Sequence, residues 1–259
     1  MAQLLKIQAR MKNKFCFVSV FGLLTLLLLT PVLQAGNNPK NKSEIPVSKT
    51  VVHKSSSEAF YEEVDSLYNQ IDLKELGLSQ KAFEYAYKGY KYLLKRHLII
   101  NSEVISICDF SQSSRNKRLY VVDLEQKKIL INTYVAHGRK SGGEYARSFS
   151  NSLNSHKSSL GFYVTERTYY GDHGLALKIR GLERGFNDKA GRRNIVIHGS
   201  EYVGPDFISM NKFNGRSFGC PAVPESDISN LIETIKNGSC LFLYYPTKKY
   251  IAHSKILNG

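Results

Sequence analysis

Nothing in this sequence sets metal-ligating side chains at close spacing. There is no Cys-x-x-Cys and no His-x-x-x-His, so the usual zinc patterns are excluded. Apolar runs are short as well. The longest, Phe15 to Thr30, holds 16 residues, against the ~20 that a membrane-spanning helix needs. Cysteine is scarce, at four residues, acidic side chains are missing from positions 1–14, and no internal repeat is evident.

The N-terminus is consistent with these absences. Lys6, Arg10, Lys12 and Lys14 precede the apolar run, and VLQAG follows it. That is the basic, apolar, small-residue order of a secretory signal peptide. Residues 1–35 are expected to be removed after Ala35. No Cys stands at the cut for lipidation, so no stable membrane anchor remains after cleavage; a retained anchor is the rival reading. Met11 alone would open a well-formed signal, which leaves the true start open between Met1 and Met11. Loss of four cations takes the formal charge from +14 to +10. An exported basic protein does not meet nucleic acid as its normal partner, whereas anionic envelope polymers would concentrate it. The periplasm is the expected compartment, with the cell surface or the medium as alternatives, and oligomeric state stays open.

In the mature chain, residues 36–57 are rich in Asn, Lys, Ser and Pro and read as a linker. A helical pair is expected over 58–97. Phe60, Val64, Leu67 and Ile71 recur at helical spacing, then Phe83, Tyr87, Tyr90 and Leu94. Gly77 separates the two helices and Ser79 can cap the second. From 102 to 250 the pattern turns to seven short β-rich runs parted by turn residues. The fold class is therefore mainly β, an antiparallel sandwich or barrel. One helix interrupts it, with Ile228, Leu231, Ile232 and Ile235 on one face, Pro224 before it and Gly238 after it.

Three cysteines survive cleavage. Cys108 and Cys240 lie in apolar, strand-like runs and are expected as buried thiols, with a disulfide as the alternative in an oxidising compartment. Cys220 is different. It lies in a bend rich in Gly and Pro, and an odd cysteine in an exported protein is a candidate reactive thiol.

Three short motifs compete for the nucleophile. Ser114-x-x-Lys117 has the spacing of serine acyl-enzymes, but that chemistry needs the Ser to open a helix. Here the segment joins two strands and reads as an exposed turn. Gly215-x-Ser217-x-Gly219 matches a nucleophile elbow, yet it lacks the buried strand before it and the helix after it. The third is Ser217-Phe-Gly219-Cys220, with His198 upstream behind Ile195-Val196-Ile197 and followed by Gly199. A free thiol is only a few per cent thiolate at neutral pH and needs an imidazole or positive surroundings. Pro221 has no N–H, so oxyanion donors must come from residue 220 or upstream, and Ser217 can brace the bend. The bland reading is a core His with a buried thiol.

At His198-Gly199 and Ser217-x-Gly219-Cys220 the sequence resembles the murein L,D-transpeptidase catalytic-domain family, in the branch with a GRSxGCPAVP signature. The stretches CDFSQSSRNKRLYVVDL, VAHGRKSGG, SSLGFYVT, GLERGFND, IVIHGSEYV and GRSFGCPAVP carry the likeness over most of 106–245. The resemblance implies an L,D-transpeptidase-like β-sandwich with Cys220 as nucleophile and His198 as base. It also implies that the Gly199 carbonyl orients the imidazole and that Gly219 and Cys220 form the oxyanion-hole segment. Ala222 stands where the wider family usually has Arg. The implied partners are peptidoglycan stem peptides, and the implied chemistry requires neither a metal nor an organic cofactor. The thiolate would attack a stem tetrapeptide, terminal D-Ala would leave, and a side-chain amine would resolve the thioester into a 3→3 cross-link. Resolution by water, giving an L,D-carboxypeptidase or endopeptidase, and a non-catalytic wall-binding module are the alternatives.

Overall fold

Capping chemistry starts the first helix. A computed structural model describes residues 55–172 and 174–259; the expected signal peptide and most of the expected linker lie outside them. Ser55 Oγ accepts the Glu58 N–H at 3.2 Å, and the Glu58 carboxylate accepts the Ser55 N–H at 2.9 Å. This reciprocal box starts α1 (Ser56–Gln70). Gly77, at φ +85°, turns the chain, and Ser79 caps α2 (Gln80–Lys95) through the Ala82 N–H. The buried stripe of α2 runs through Phe83, Ala86, Tyr87, Tyr90 and Leu93. Leu94, expected inside, is 38% exposed; the helical period carries Leu93 inward instead.

The strands are β1 (Val104–Asp109), β2 (Leu119–Asp123), β3 (Lys128–Thr133), β4 (Gly161–Gly171), β5 (Gly174–Gly181), β6 (Val196–Gly199), β7 (Ala222–Val223) and β8 (Cys240–Tyr244). Together with the helical pair they bear out the mainly β fold class. They form one sheet in the order β3-β2-β1-β8-β4-β5-β6-β7. Most ladders are antiparallel, but β1–β8 and β6–β7 are parallel. β3 and β7 are the edges, yet Ala136, just past β3, bridges Ala222 in β7 with N–H···O at 2.8 Å. The edges thus meet, and the sheet rolls toward a barrel with little unpaired backbone left at its rim.

Helix α2 packs on β1 and β8. Its Gly89 is required there, because a Cβ would fall 1.9 Å from the Phe162 ring. Phe162 stacks on Phe242 across the β4–β8 ladder, with centroids 4.1 Å apart. Burial of each such ring contributes roughly 1.5–3 kcal/mol. The helix α4 (Glu225–Ile235), between β7 and β8, buries all four of its expected apolar residues. Short helices α3 (Pro205–Asn211), α5 (Lys248–His253) and α6 (Lys255–Asn258) go beyond what periodicity showed.

Cys108 and Cys240 are free and buried. In the β1–β8 register Cys240 faces Ile105, an odd number of residues from Cys108. Their side chains therefore leave opposite faces of the sheet, and no disulfide can join them.

The loop after β5 clasps the C-terminus to the core. Glu183 accepts the Phe162 N–H at 2.8 Å and the Tyr250 hydroxyl at 2.7 Å, and also bonds Ser254. Burial pushes the Glu183 carboxyl above its ordinary 4.5, and those three donors oppose the shift. Below 4.5 both folded and unfolded chains hold the proton, and the contribution to stability is complete. As pH rises through the raised folded value it is lost, because only the unfolded chain ionises without penalty. The urea midpoint of the wild type is expected to fall more steeply from pH 4.5 upward than that of Glu183→Gln. Parallel curves for the two proteins would contradict this.

Candidate active site

The end of β6 carries His198-Gly199, and its parallel partner β7 sets Ala222 opposite His198. The His198 N–H reaches the Pro221 carbonyl at 3.4 Å. Two residues back along both segments, Cys220 comes level with Val196, whose N–H points at Cys220 Sγ from 3.5 Å. The thiol in turn donates to the Asn194 carbonyl at 3.6 Å. The half-buried thiol and the buried imidazole thus belong to one short stretch of the β6–β7 pair.

His198 Nδ1 lies 2.8 Å from the Gly199 carbonyl. A carbonyl only accepts, so Nδ1 carries the proton and Nε2 keeps its lone pair. This fixes an imidazole able to take a proton through Nε2.

The bend before Cys220 is braced from inside and outside. The Ser217 hydroxyl donates to the Cys220 carbonyl at 2.6 Å and accepts the Gly219 N–H at 3.0 Å. From outside, the His137 carbonyl accepts the Ser217 N–H at 3.0 Å, and the Ser217 carbonyl accepts the Arg139 N–H at 2.8 Å. Gly219 has φ +132°, and a Cβ there would lie 2.9 Å from the Lys157 carbonyl oxygen. Only glycine fits both the torsion and the space. Since the Gly219 N–H is engaged by Ser217 and the Ser217 N–H by His137, the N–H groups of Phe218 and Cys220 are the backbone donors left in this bend.

The His137-Gly138 pair is a support for this bend. His137 is buried, and Arg118, also fully buried, donates to its Nδ1 at 2.8 Å. The same guanidinium holds the carbonyls of Val135 and Gln112. Burial first, then the Arg118 charge, push His137 down to about 3, so it stays neutral at working pH. Both residues lie in stretches that carry the family likeness, but no role for either is legible in the sequence, where a buried Arg looks like any surface Arg.

Arg193 was also missed. Its guanidinium donates to the carbonyls of Ser150 at 2.9 Å and Lys157 at 2.5 Å and to the hydroxyls of Ser155 and Ser159. It lines the groove of about 700 Å³ that opens at Cys220, together with Glu166, Tyr169, Lys178 and Phe218. Ala222, by contrast, is fully buried, paired with His198 in the β6–β7 ladder and bridged to Ala136. The positive charge that acts on the thiol is that of Arg193, from the segment before β6, which shares the groove with Cys220. Burial raises the Cys220 thiol above its ordinary 9.0, while the Val196 N–H and the Arg193 charge oppose the rise. Alkylation by iodoacetamide is therefore expected to keep accelerating above pH 9. In Arg193→Met the curve should move to still higher pH, and slower alkylation at pH 7 measures the change. An unshifted curve would remove Arg193 from the site.

The two competing motifs fall on the wrong architecture. Ser114 is buried in the turn between β1 and β2, with no helix behind it. Ser217 follows α3 and precedes β7, so the strand–turn–helix of an elbow is not there.

A thiol and an oriented imidazole on adjoining strand ends, beside an open groove, have the parts for acyl transfer. A family model for the L,D-transpeptidase catalytic domain matches residues 74–244, and the chain belongs to that family. No curated protein matches it. Similar solved structures include an L,D-transpeptidase from Mycobacterium smegmatis, 10% identical over 55% of this chain and 59% of that one, with a TM-score of 0.34. Another is an L,D-transpeptidase from Xylanimonas cellulosilytica, at 14%, 70%, 93% and 0.32 in the same order. A third is the helical cell shape determining protein Pgp2 from Campylobacter jejuni, at 16%, 56%, 48% and 0.33. The chain spans less than two thirds of the length of the mycobacterial relative.

Proposed function

We propose that the protein is an exported peptidoglycan L,D-transpeptidase that forms 3→3 cross-links through an acyl-enzyme on Cys220. The observation that supports this most is the His198 Nδ1···Gly199 contact at 2.8 Å. It leaves Nε2 as a base on the same strand pair as the thiol. Because burial holds the thiol above its ordinary value, Cys220 rests as the thiol, and His198 takes its proton as attack begins.

Cys220 Sγ then attacks the carbonyl of the third residue of a donor tetrapeptide. The oxyanion is met by the Cys220 N–H. The bond to terminal D-Ala breaks, and D-Ala leaves with the proton from His198. A side-chain amine of a second stem gives its proton to His198 and attacks the thioester. The C–S bond breaks, and the free thiol is restored. Ser217 acts by holding the bend. Residues 1–35 are read as the export signal, residues 36–57 as a linker, and the periplasm as the workplace. Among the described residues, no helix is long and apolar enough to cross a membrane.

A partition experiment separates transferase from hydrolase. With tetrapeptide donor and rising acceptor, cross-linked dimer is expected to rise while free tripeptide falls. Orientation can supply effective molarities of about 10⁵ M or more, enough to outcompete water. Tripeptide alone at saturating acceptor would make the protein a carboxypeptidase, and absence of any product would favour the wall-binding module.

A further inference from the structure

A second hollow, of about 780 Å³, opens beside the Cys220 groove. The segment between β5 and β6 divides them: Lys189 lines the hollow, and Arg193 lines the groove. Arg193 also ties the two together, since its guanidinium donates to the carbonyl of Ser150, which is in the wall of the hollow.

The chemistry of the two spaces differs. The Cys220 groove mixes signs, with Glu166 and Asp172 against Lys178 and Arg193. The hollow has an aromatic floor of Phe149, Phe186 and Tyr250, and four exposed cations on its rim, Arg147, Arg184, Lys189 and Lys249. Its one acidic residue is Asp188. That carboxylate is already engaged by Asn151 Nδ2 at 2.7 Å and by the Gly185 N–H at 2.6 Å. Among the described residues none of the four cations forms a salt bridge. An aromatic floor among polar walls such as Ser148, Ser150, Asn151 and Thr247, with cations at the mouth that form no salt bridge, suits an anionic peptide with a partly apolar body.

We propose that this hollow is the acceptor subsite, which holds the carboxylate-bearing stem peptide whose amine resolves the acyl-enzyme. The assignment rests on the transpeptidase reading above. Donor and acceptor must be bound together, and the donor carbonyl has to lie at Cys220. The second anionic peptide therefore needs its own place within reach of that groove, and the hollow across Arg193 supplies one of the right charge.

The test pairs two measurements on the full chain, with the double variant Arg184→Glu/Lys189→Glu. Both residues are exposed, so reversing their charge leaves the core untouched. In the first, an isotope-labelled stem tripeptide is titrated into Cys220→Ala protein with and without the charge reversal. The Kd is expected to rise about tenfold or more, and the affinity of the unreversed protein should fall with added salt. In the second, labelled acceptor and tetrapeptide donor are given to enzyme with Cys220 intact. The ratio of labelled dimer to acyl-enzyme should fall at least tenfold and recover at high acceptor. An unchanged Kd would overturn the subsite. So would loss of acyl-enzyme in step with dimer, since the cations would then serve the donor. Failure of the unreversed enzyme to form any acyl-enzyme would sink the transpeptidase reading itself, and the Kd comparison would still decide whether the hollow takes the peptide.

Discussion

Cys220→Ala is expected to lower turnover of a tetrapeptide donor by about 10³-fold or more, the usual effect of deleting a nucleophile from a base-assisted site. His198→Ala should do nearly as much. The thiol is held above its ordinary value by burial, so without an imidazole almost none of it is thiolate at neutral pH. The two deletions should be far from additive, because either one disables the same step. Cys108→Ala and Cys240→Ala are the controls. Both thiols are buried on opposite faces of the sheet, so their loss should cost roughly 0.5–3 kcal/mol of stability and leave the rate constant of the folded enzyme alone. Steady-state rates on the four variants, corrected for folded fraction, check the set. Full activity in Cys220→Ala would remove the thiol from the mechanism.

Gly219→Ala should be the next most damaging change, although it deletes no reacting atom. The backbone sits at φ +132°, where an L side chain is strained, and the added methyl meets the Lys157 carbonyl oxygen at 2.9 Å and Arg193 at 3.1 Å. Neither neighbour gives way easily. The carbonyl is backbone, and the guanidinium is pinned by four acceptors. The bend must shift, and a displacement near 1 Å at a nucleophile costs about 10²-fold. Ser217→Ala is the graded comparison. It removes one bond to the Cys220 carbonyl and one from the Gly219 N–H, worth roughly 1–3 kcal/mol together. The measurement is kcat against thermal midpoint for both variants. Loss of midpoint with kcat preserved would show that the bend serves folding alone.

His198 and Cys220 stand out in the sequence as candidates because both lie in strong local signals. Three β-branched residues deliver the imidazole, and a Gly–Pro bend marks the thiol. The seven apolar runs were legible for the same reason. β7 was not, since two residues carry no period and it lies inside a stretch that reads as a bend. The parallel β1–β8 pairing joins residues more than 130 positions apart, and no local pattern reports such a partner. Leu94 against Leu93 is a one-residue error in helical phase, settled only by what α2 packs on. Arg118 and Arg193 were invisible because burial, not residue type, gives them their roles. The short helices α5 and α6 are too brief for an apolar stripe.

The central claim is that the chain becomes acylated on Cys220. Mixing the protein with excess tetrapeptide donor, quenching in acid and weighing the intact chain tests it directly. An added mass equal to the donor minus its terminal alanine is expected, and fragmentation should place it on Cys220. A fully populated adduct on Ser217 instead, or an unmodified chain that nonetheless turns donor into product, would contradict it.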